Sequence, residues 1–504
     1  MFKFFLLTLL ALVLLAHGTT AENEKTIDEQ INEAIEPYAQ KVSDIVFYEV
    51  PVTPDIGIPF VIIWLIGGGI FFTTFLRFVN ITRFRFAWQV LRGKYSNPRE
   101  EGEVSHFQAL STSLSGTVGL GNIAGVAIAI SMGGPGALVW MILGGVVGMS
   151  TKFVEATLGA AHRKIDHNGI VYGGPMYYLS EGFAAKNFPI LGKFFAIFFA
   201  LMCIGGSFGG GNMFQANQAF QQFENVAPDP ITGGGWVFGL IIAFFVALVI
   251  IGGIKSIAKV TEKVVPLMVV IYLLGAFTII ILNLGQVPES IGIIFKEAFA
   301  PTAIAGGFVG VLIQGFRRAA FSNEAGIGTA PIALAPVKST HPGSVGMVAL
   351  LAPFIDTIVV CTSTALIIVI TGVYQSGAAD VDGVTLTSEA FASVIGWFPY
   401  VLSISVIFFA FSTMLAWSYY GLQAWTYLFG KHSASQYLYK IIFCTFIVIG
   451  ASATLDNVVE FSDAMIFAMA FPNVLGLLIL APKAKRYLKE YIDKINSGEI
   501  PRND

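Results

Sequence analysis

The sequence predicts an all-α polytopic membrane protein with about 11 transmembrane helices. One N-terminal helix precedes a five-plus-five inverted repeat whose first and sixth repeat helices are broken. Three observations carry this. First, the chain is 55% hydrophobic and 12% charged over 504 residues, with mean hydropathy +0.73. A soluble domain carries about 25% charged residues, so this chain cannot cover its own surface in water. Second, apolar stretches long enough to cross hydrocarbon recur along its length. Third, Gly119-Leu120-Gly121-Asn122 and Gly326-Ile327-Gly328-Thr329 lie 207 residues apart, and Pro135-Gly136 and Pro342-Gly343 repeat at the same offset. A constant offset marks an internal duplication, and glycine clusters inside bilayer-length segments mark helices that break at mid-membrane.

In chain order, residues 1–21 read as a signal peptide. Lys3 precedes an apolar run from Phe4 to Ala16 that is short for a span, and Thr19-Thr20-Ala21 supplies small residues for cleavage near Ala21. Residues 22–55 form a polar, mixed-charge extracytoplasmic segment with a short helix. Residues 56–105 hold the first transmembrane helix and a basic cytoplasmic loop, 106–300 the first repeat, 301–482 the second, and 483–504 a cytoplasmic tail. A span needs about 20 residues. The candidates are 57–78, 108–132, 136–158, 192–220, 235–252, 264–283, 304–334, 345–372, 392–428, 437–453 and 462–481, with Pro399 dividing an approach from the span in the ninth.

Positive charge tests this layout. With the N-terminus outside, the inner loops and tail receive Arg77, Arg83, Arg85, Arg92, Lys94 and Arg99, then Lys152, Arg163, Lys164, Lys186 and Lys193, then Lys255, Lys259 and Lys263. Lys338, Lys431, Lys440 and the basic tail follow, while the outside keeps only Lys25, Lys41 and Lys296. This positive-inside bias supports the span count and a cytoplasmic C-terminus. The expected location is a bacterial-type cell (inner) membrane. Five spans separate the two glycine motifs, an odd number, so the broken helices cross in opposite directions. That is what an inverted repeat over 108–283 and 304–481 requires.

The residues around the breaks carry the chemistry. Ser111 to Asn122 is a poor helix interior, because glycine costs about 1 kcal/mol against alanine and serine and threonine compete for backbone bonds. Unwinding frees carbonyls that can ligate Na+ and amides that suit a carboxylate at a half-helix N-terminus. Close helix packing through small residues is the plain alternative. A nucleotide-binding reading fails for want of a βαβ unit. Near the second break, Arg317, Arg318 and Glu324 fall inside a span, where charge points to ligand contact or to a gate network. Lys152 and Glu155, three apart, are expected to pair. Asp356 reads as a hydrogen-bonded structural acid with a proton or gating role as the alternative. Ser412-Thr413 with Trp417 about one turn on, and the amides Asn212, Gln215, Asn217 and Gln218, complete the polar inventory. Cys203, Cys361 and Cys444 lie in apolar spans and read as packing residues. No metal spacing or Ser–His pairing argues for an enzyme, and the net charge of −3 gives no reason to expect nucleic acid as a partner.

The strings Gly116-Thr117-Val118-Gly119-Leu120-Gly121-Asn122-Ile123-Ala124-Gly125, Gly133-Gly134-Pro135-Gly136, Lys152-Phe153-Val154-Glu155-Ala156-Thr157-Leu158, Gly173-Gly174-Pro175-Met176-Tyr177-Tyr178 and Ala320-Phe321-Ser322-Asn323-Glu324-Ala325-Gly326-Ile327-Gly328 resemble the alanine or glycine:cation symporter family. The resemblance covers about residues 55–485. It implies a LeuT-type fold, Na+ as the co-transported ion, and alanine or glycine as the solute, with glutamine carriers among the relatives. It further implies that Thr117, Gly119, Gln215, Ser322 and Asn323 line the substrate site, and that Trp417 caps it. By similarity to LeuT-type sites, the carbonyls of Ser115, Val118 and Phe409 and the hydroxyls of Ser412 and Thr413 would hold Na+. The expected partners are thus a small neutral amino acid, Na+ and membrane lipid. The signal-like segment and the polar residues after it depart from the family pattern, and the motif does not place Arg317-Arg318. Rival readings in the same sequence are H+ coupling through Asp356 or Glu324, a membrane hydrolase, and a channel.

Overall fold

The computed structural model describes residues 40–53, 56–97, 99–227, 234–299, 307–375 and 383–503. The expected signal peptide, 1–21, and the first part of the expected polar segment lie outside the described residues. The chain is almost wholly helical. Residues 40–46 are helical, and an antiparallel hairpin, β1 (Glu49–Thr53) with β2 (Ile56–Pro59), leads into α1 (Phe60–Phe75). The first broken span follows as α2 (His106–Thr117) and α3 (Ala124–Gly133), bent by 58°. Next come α4 (Ala137–Ala161), α5 (Pro175–Ala184) and α6 (Pro189–Val226), which contains a π-helical turn over Gly209–Met213. Then follow α7 (Gly235–Ile250), α8 (Gly253–Leu282) and α9 (Val287–Phe299).

The second broken span is α10 (Gly307–Asn323) with the short α11 (Ala330–Leu334). The chain ends with α12 (Pro342–Thr371), α13 (Val384–Ala392), α14 (Phe398–Phe429), α15 (Ser433–Ser452) and α16 (Leu455–Asn496). Among the described residues, seven helices are long and apolar enough to cross a membrane, and the bent pair makes an eighth; α1 and α7 are shorter apolar helices.

Local sequence explains the boundaries. Pro175, Pro189, Pro342 and Pro399 all stand in the first turn of a helix, where a missing N–H costs nothing. Pro399 therefore opens α14. Ser105 begins α2 through a capping box, its Oγ accepting from the Gln108 amide at 3.2 Å while Gln108 Oε1 accepts from the Ser105 amide at 3.0 Å.

Three expectations change. α8 starts at Gly253, so Lys255, Lys259 and Lys263 belong to a helix and not to a loop. The basic tail stays helical to Asn496 as a continuation of α16, because good helix formers run on past Pro482. Lys152 and Glu155 do not pair: Lys152 Nζ has no hydrogen-bond partner, and Glu155 is turned to the second break. The three cysteines are free and buried.

Candidate functional site

α2 packs against α8 and α14, and its last regular bond is Val118 N to Leu114 O at 2.6 Å. Beyond it the backbone leaves the helix, makes one tight turn over Leu120–Asn122, and resumes at Ala124. Two amides are freed, and side-chain carbonyl oxygens take both. Asn122 Oδ1 accepts from Gly119 N at 2.9 Å, and Gln215 Oε1, from α6, accepts from Leu120 N at 3.2 Å. Gln215 in turn donates through Nε2 to the Gly210 carbonyl in the π-helical turn, at 2.9 Å. Position 119 must be glycine for space: a Cβ there would overlap Thr413 Oγ1 and press on Gln215 Oε1 at 3.2 Å.

The second break is built differently. Glu324 ends α10 with φ 53°, and Gly326 and Gly328 follow with φ 90° and 98°, a left-handed region that glycine enters freely. Asn323 Oδ1 accepts from Ala325 N at 2.9 Å. Glu155 Oε1, from α4, accepts from Gly326 N at 3.1 Å and from Asn473 Nδ2 at 2.7 Å. Asn473 also donates to the Gly326 carbonyl at 2.7 Å.

One narrow cavity touches both breaks. Thr117, Gly119, Gly121, Gln215, Phe321, Glu324 and Trp417 are among the residues lining it, and it has room for about one water molecule. Thr117, Gly119, Gln215 and Trp417 were expected from sequence and meet here. Glu324 was singled out by its charge alone, and its role comes from its partners. Its Oε1 accepts from Trp417 Nε1 at 3.0 Å, and its Oε2 accepts from Thr329 Oγ1. Ser322 and Asn323 are buried, but their side chains are engaged elsewhere. Ser322 Oγ donates to Asp356 Oδ2 at 2.8 Å, and Asn323 Nδ2 donates to Thr357 Oγ1 at 3.0 Å.

Asp356 is hydrogen-bonded, as its sequence setting suggested, and its partners make it a junction. It sits in a π-helical stretch of α12, Phe354–Cys361. Its Oδ1 accepts from Asn122 Nδ2 at 2.6 Å, and its Oδ2 accepts from Ser322 Oγ and Thr357 Oγ1, each at 2.8 Å. Asn122 Nδ2 also reaches Ser322 Oγ at 3.1 Å. One carboxylate thereby ties the first break to the last turn before the second. Isolation in an apolar run was the only signal available.

Ser115, Phe409, Ser412 and Thr413 form an oxygen cluster between α2 and α14. Thr413 Oγ1 donates to the Ser115 carbonyl at 2.9 Å, Ser115 Oγ to the Ser412 carbonyl at 2.5 Å, and Ser412 Oγ to the Phe409 carbonyl at 3.0 Å. Val118 stands at the end of α2, fully buried. Among the described residues no group of three or more His, Cys, Asp or Glu could hold a metal ion.

Two sets of contacts hold the segments around the broken spans. Toward the N-terminal hairpin, Asp463 on α16 receives Arg317 Nη2 at 2.8 Å, Arg317 Nε at 3.1 Å and Arg318 Nη2 at 3.2 Å. Phe47 covers the Arg317 guanidinium at 4.2 Å and meets Phe467 edge-on. Elsewhere, residues flanking the two broken spans pair as a parallel bridge, Val104 with Val337, and Lys338 N donates to the Val104 carbonyl at 2.8 Å. Arg163 braces this region, donating to the carbonyls of Ala335 at 2.8 Å, Val337 at 2.5 Å, Glu101 at 2.9 Å and Ser339 at 2.8 Å.

The sequence profile of the sodium:alanine symporter family matches residues 49–504. The chain belongs to that family. It is 41% identical to the sodium/alanine symporter AgcS of Methanococcus maripaludis over 426 residues, 84% of this chain and 92% of that one. The family is not uniform in solute or ion by name. A Bacillus subtilis protein named "Probable sodium/glutamine symporter GlnT" is 34% identical, covering 87% of this chain and 89% of its own. YrbD of the same organism, named as a candidate sodium/proton-dependent alanine carrier, is 35% identical over 88% of this chain and 91% of its own. Members are transporters, not enzymes. Residues 40–48, including Phe47, lie before the region the family profile matches.

Proposed function

We propose that this chain is a Na+-coupled symporter that imports a small neutral amino acid, alanine or glycine, by alternating access. The observation that carries the proposal is the cavity between the two breaks, where Gln215 Oε1 holds the Leu120 amide at 3.2 Å. A neutral carbonyl oxygen stands where a substrate carboxylate would accept from the same amide. The entering carboxylate displaces Gln215, and the α-ammonium turns to Glu324. The indole of Trp417 closes the remaining wall, which favours a side chain no larger than a methyl group. Thr117 and the backbone at Gly119 complete this wall. Ser322 and Asn323 act through Asp356 and Thr357, shaping the second break.

Na+ enters between α2 and α14, where the carbonyls of Ser115, Val118 and Phe409 and the hydroxyls of Ser412 and Thr413 replace its water. A tenfold Na+ gradient supplies about 1.4 kcal/mol, and one charge crossing 100 mV about 2.3 kcal/mol. Together these sustain an accumulation of several hundredfold per coupled ion. The loading of positive charge on one side supports an inverted repeat with the N-terminal hairpin outside and the tail in the cytoplasm. Outward opening then breaks the Arg317–Asp463–Arg318 closure, and inward opening breaks the Val104–Val337 bridge.

Uptake of labelled alanine, glycine and glutamine into proteoliposomes, with inward Na+ or with choline at fixed pH, tests this. Alanine or glycine uptake that requires Na+ is expected. Preference for glutamine would transfer the solute to the reading its GlnT relative suggests. Uptake that follows a pH gradient in choline would move the coupling to H+, a role Glu324 and Asp356 could serve.

A further inference from the structure

One buried cation is left over from this account. Lys152 is fully buried on α4, and its Nζ has no hydrogen-bond partner. Three carboxylates lie within its electrostatic reach: Glu155 one turn along the same helix, Glu324 in the second break, and Asp356 on α12. All three are buried. Two of them have donors on both oxygens, Asp356 from Asn122, Ser322 and Thr357, and Glu324 from Trp417 and Thr329. Glu155 Oε2 has none. The other titratable groups acting on the cluster are Tyr178 beside Glu155, Cys203 and Tyr420 beside Glu324, and Cys361 beside Asp356, none of which brings positive charge.

When all three carboxylates are ionised, one ammonium leaves an excess of negative charge. Hydrogen bonds alone do not remove that cost, because each ion has left water. Lys152 is the cation whose field reaches all three, and it is not spent on a single partner. A pair fixed at contact would serve one carboxylate. An ammonium held off from each serves the group.

We propose that Lys152 is the resident counter-cation of the two helix breaks, a positioning residue that sets how many cations must enter from solution before the breaks can close on substrate. Without it, the cluster must take up one more monovalent cation, a proton or a second Na+. The inference rests on the cation-coupled reading above.

The test uses the full chain in proteoliposomes, with labelled alanine and saturating inward Na+. Lys152→Met and the charge-compensated double variant Lys152→Met/Glu155→Gln are compared with wild type at each pH. For Lys152→Met, the initial rate relative to wild type should rise about tenfold or more from pH ~8.5 to pH ~5.5, as a proton supplies the missing charge. For the double variant the ratio should be independent of pH. A ratio that stays flat in Lys152→Met overturns the proposal, as does inactivity of the folded variant at every pH. If Lys152→Met yields no folded protein, the double variant decides. Folding with a flat ratio supports the proposal, and failure to fold overturns it. Absence of Na+-driven uptake in wild type sinks the transport reading and this inference together; a failure confined to the variants sinks the inference alone.

Discussion

Replacing Thr413 with valine isolates the proposed cation site from the rest of the molecule. Valine keeps the shape of threonine and removes one hydroxyl, so packing between α2 and α14 is retained. What is lost is the donor to the Ser115 carbonyl at 2.9 Å and, in the symporter reading, one neutral oxygen from the Na+ shell. A hydrogen bond or ligand oxygen to a charged group is worth about 1.5–3 kcal/mol, and every 1.4 kcal/mol is tenfold. The Na+ concentration giving half-maximal alanine uptake should therefore rise about tenfold to a hundredfold in Thr413→Val. The maximal rate at saturating Na+ should be largely preserved, because the substrate cavity keeps its lining. The assay is a Na+ titration of initial uptake in proteoliposomes at constant ionic strength. Ser418→Ala is the control, since Ser418 bonds back to the Leu415 carbonyl of its own helix at 2.7 Å. An unshifted Na+ titration in Thr413→Val, or an equal shift in Ser418→Ala, would refute the placement.

Trp417→Ala opens the cavity and removes the donor to Glu324 at 3.0 Å, so discrimination between alanine and leucine should relax; Trp417→Phe, which removes the donor but keeps an aromatic ring in the wall, should keep most of it. Competition by unlabelled leucine against labelled alanine measures both. Asp463→Asn leaves two guanidiniums without their counter-charge. Breaking a buried ion pair costs about 3–5 kcal/mol, and since Arg317 is partly exposed, the loss belongs at the low end. The thermal midpoint should drop, and a cysteine placed at Ile466 should label faster from the hairpin side. Beyond the end of α4, burial pushes the His162 imidazole below its ordinary range, and Lys483 Nζ donates to its Nε2 at 3.0 Å, which requires a neutral ring. A base depressed in the folded state supports stability above its unfolded pKa of about 6.5, and that support drains away as pH falls toward the folded value. The thermal midpoint should decline on acidification in wild type and less steeply in His162→Gln.

Local penalties made the breaks legible. Glycine, serine and threonine crowd Ser111–Asn122, and Gly326 and Gly328 leave the second helix no regular continuation, so the interruptions can be located before any coordinates. The meeting of Ser115 with Ser412 and Thr413 was expected only through the family resemblance, since no local pattern joins positions so far apart. Partners drawn from distant segments were not legible. Asp356 gathers Asn122, Ser322 and Thr357, and no spacing rule joins those positions. The rule that residues three apart pair on a helix surface failed for Lys152 and Glu155, because α4 is buried there and the second break offers Glu155 an orphan amide at Gly326. Phe47 over Arg317 depends on where the hairpin folds back, which composition does not encode.

In the proposed reading the two solutes are linked through a few atoms. Gly119 lies against both Thr413 and Gln215, so the backbone that would bind the substrate carboxylate is also the neighbour of the cation's oxygens. Asn122 then carries any movement across: its Oδ1 holds the Gly119 amide, while its Nδ2 holds Asp356 and Ser322. Opening the first break to admit a carboxylate cannot leave the second unchanged unless that amide side chain lets go. Coupling of this kind is reciprocal in free energy. A change at Asn122 should therefore reduce the effect of Na+ on alanine affinity and the effect of alanine on Na+ affinity by the same factor. Asn122→Ser, examined by titrating each ligand at fixed concentrations of the other, should bring the common coupling factor close to one. A coupling factor unchanged from wild type would show that the two breaks communicate by another route.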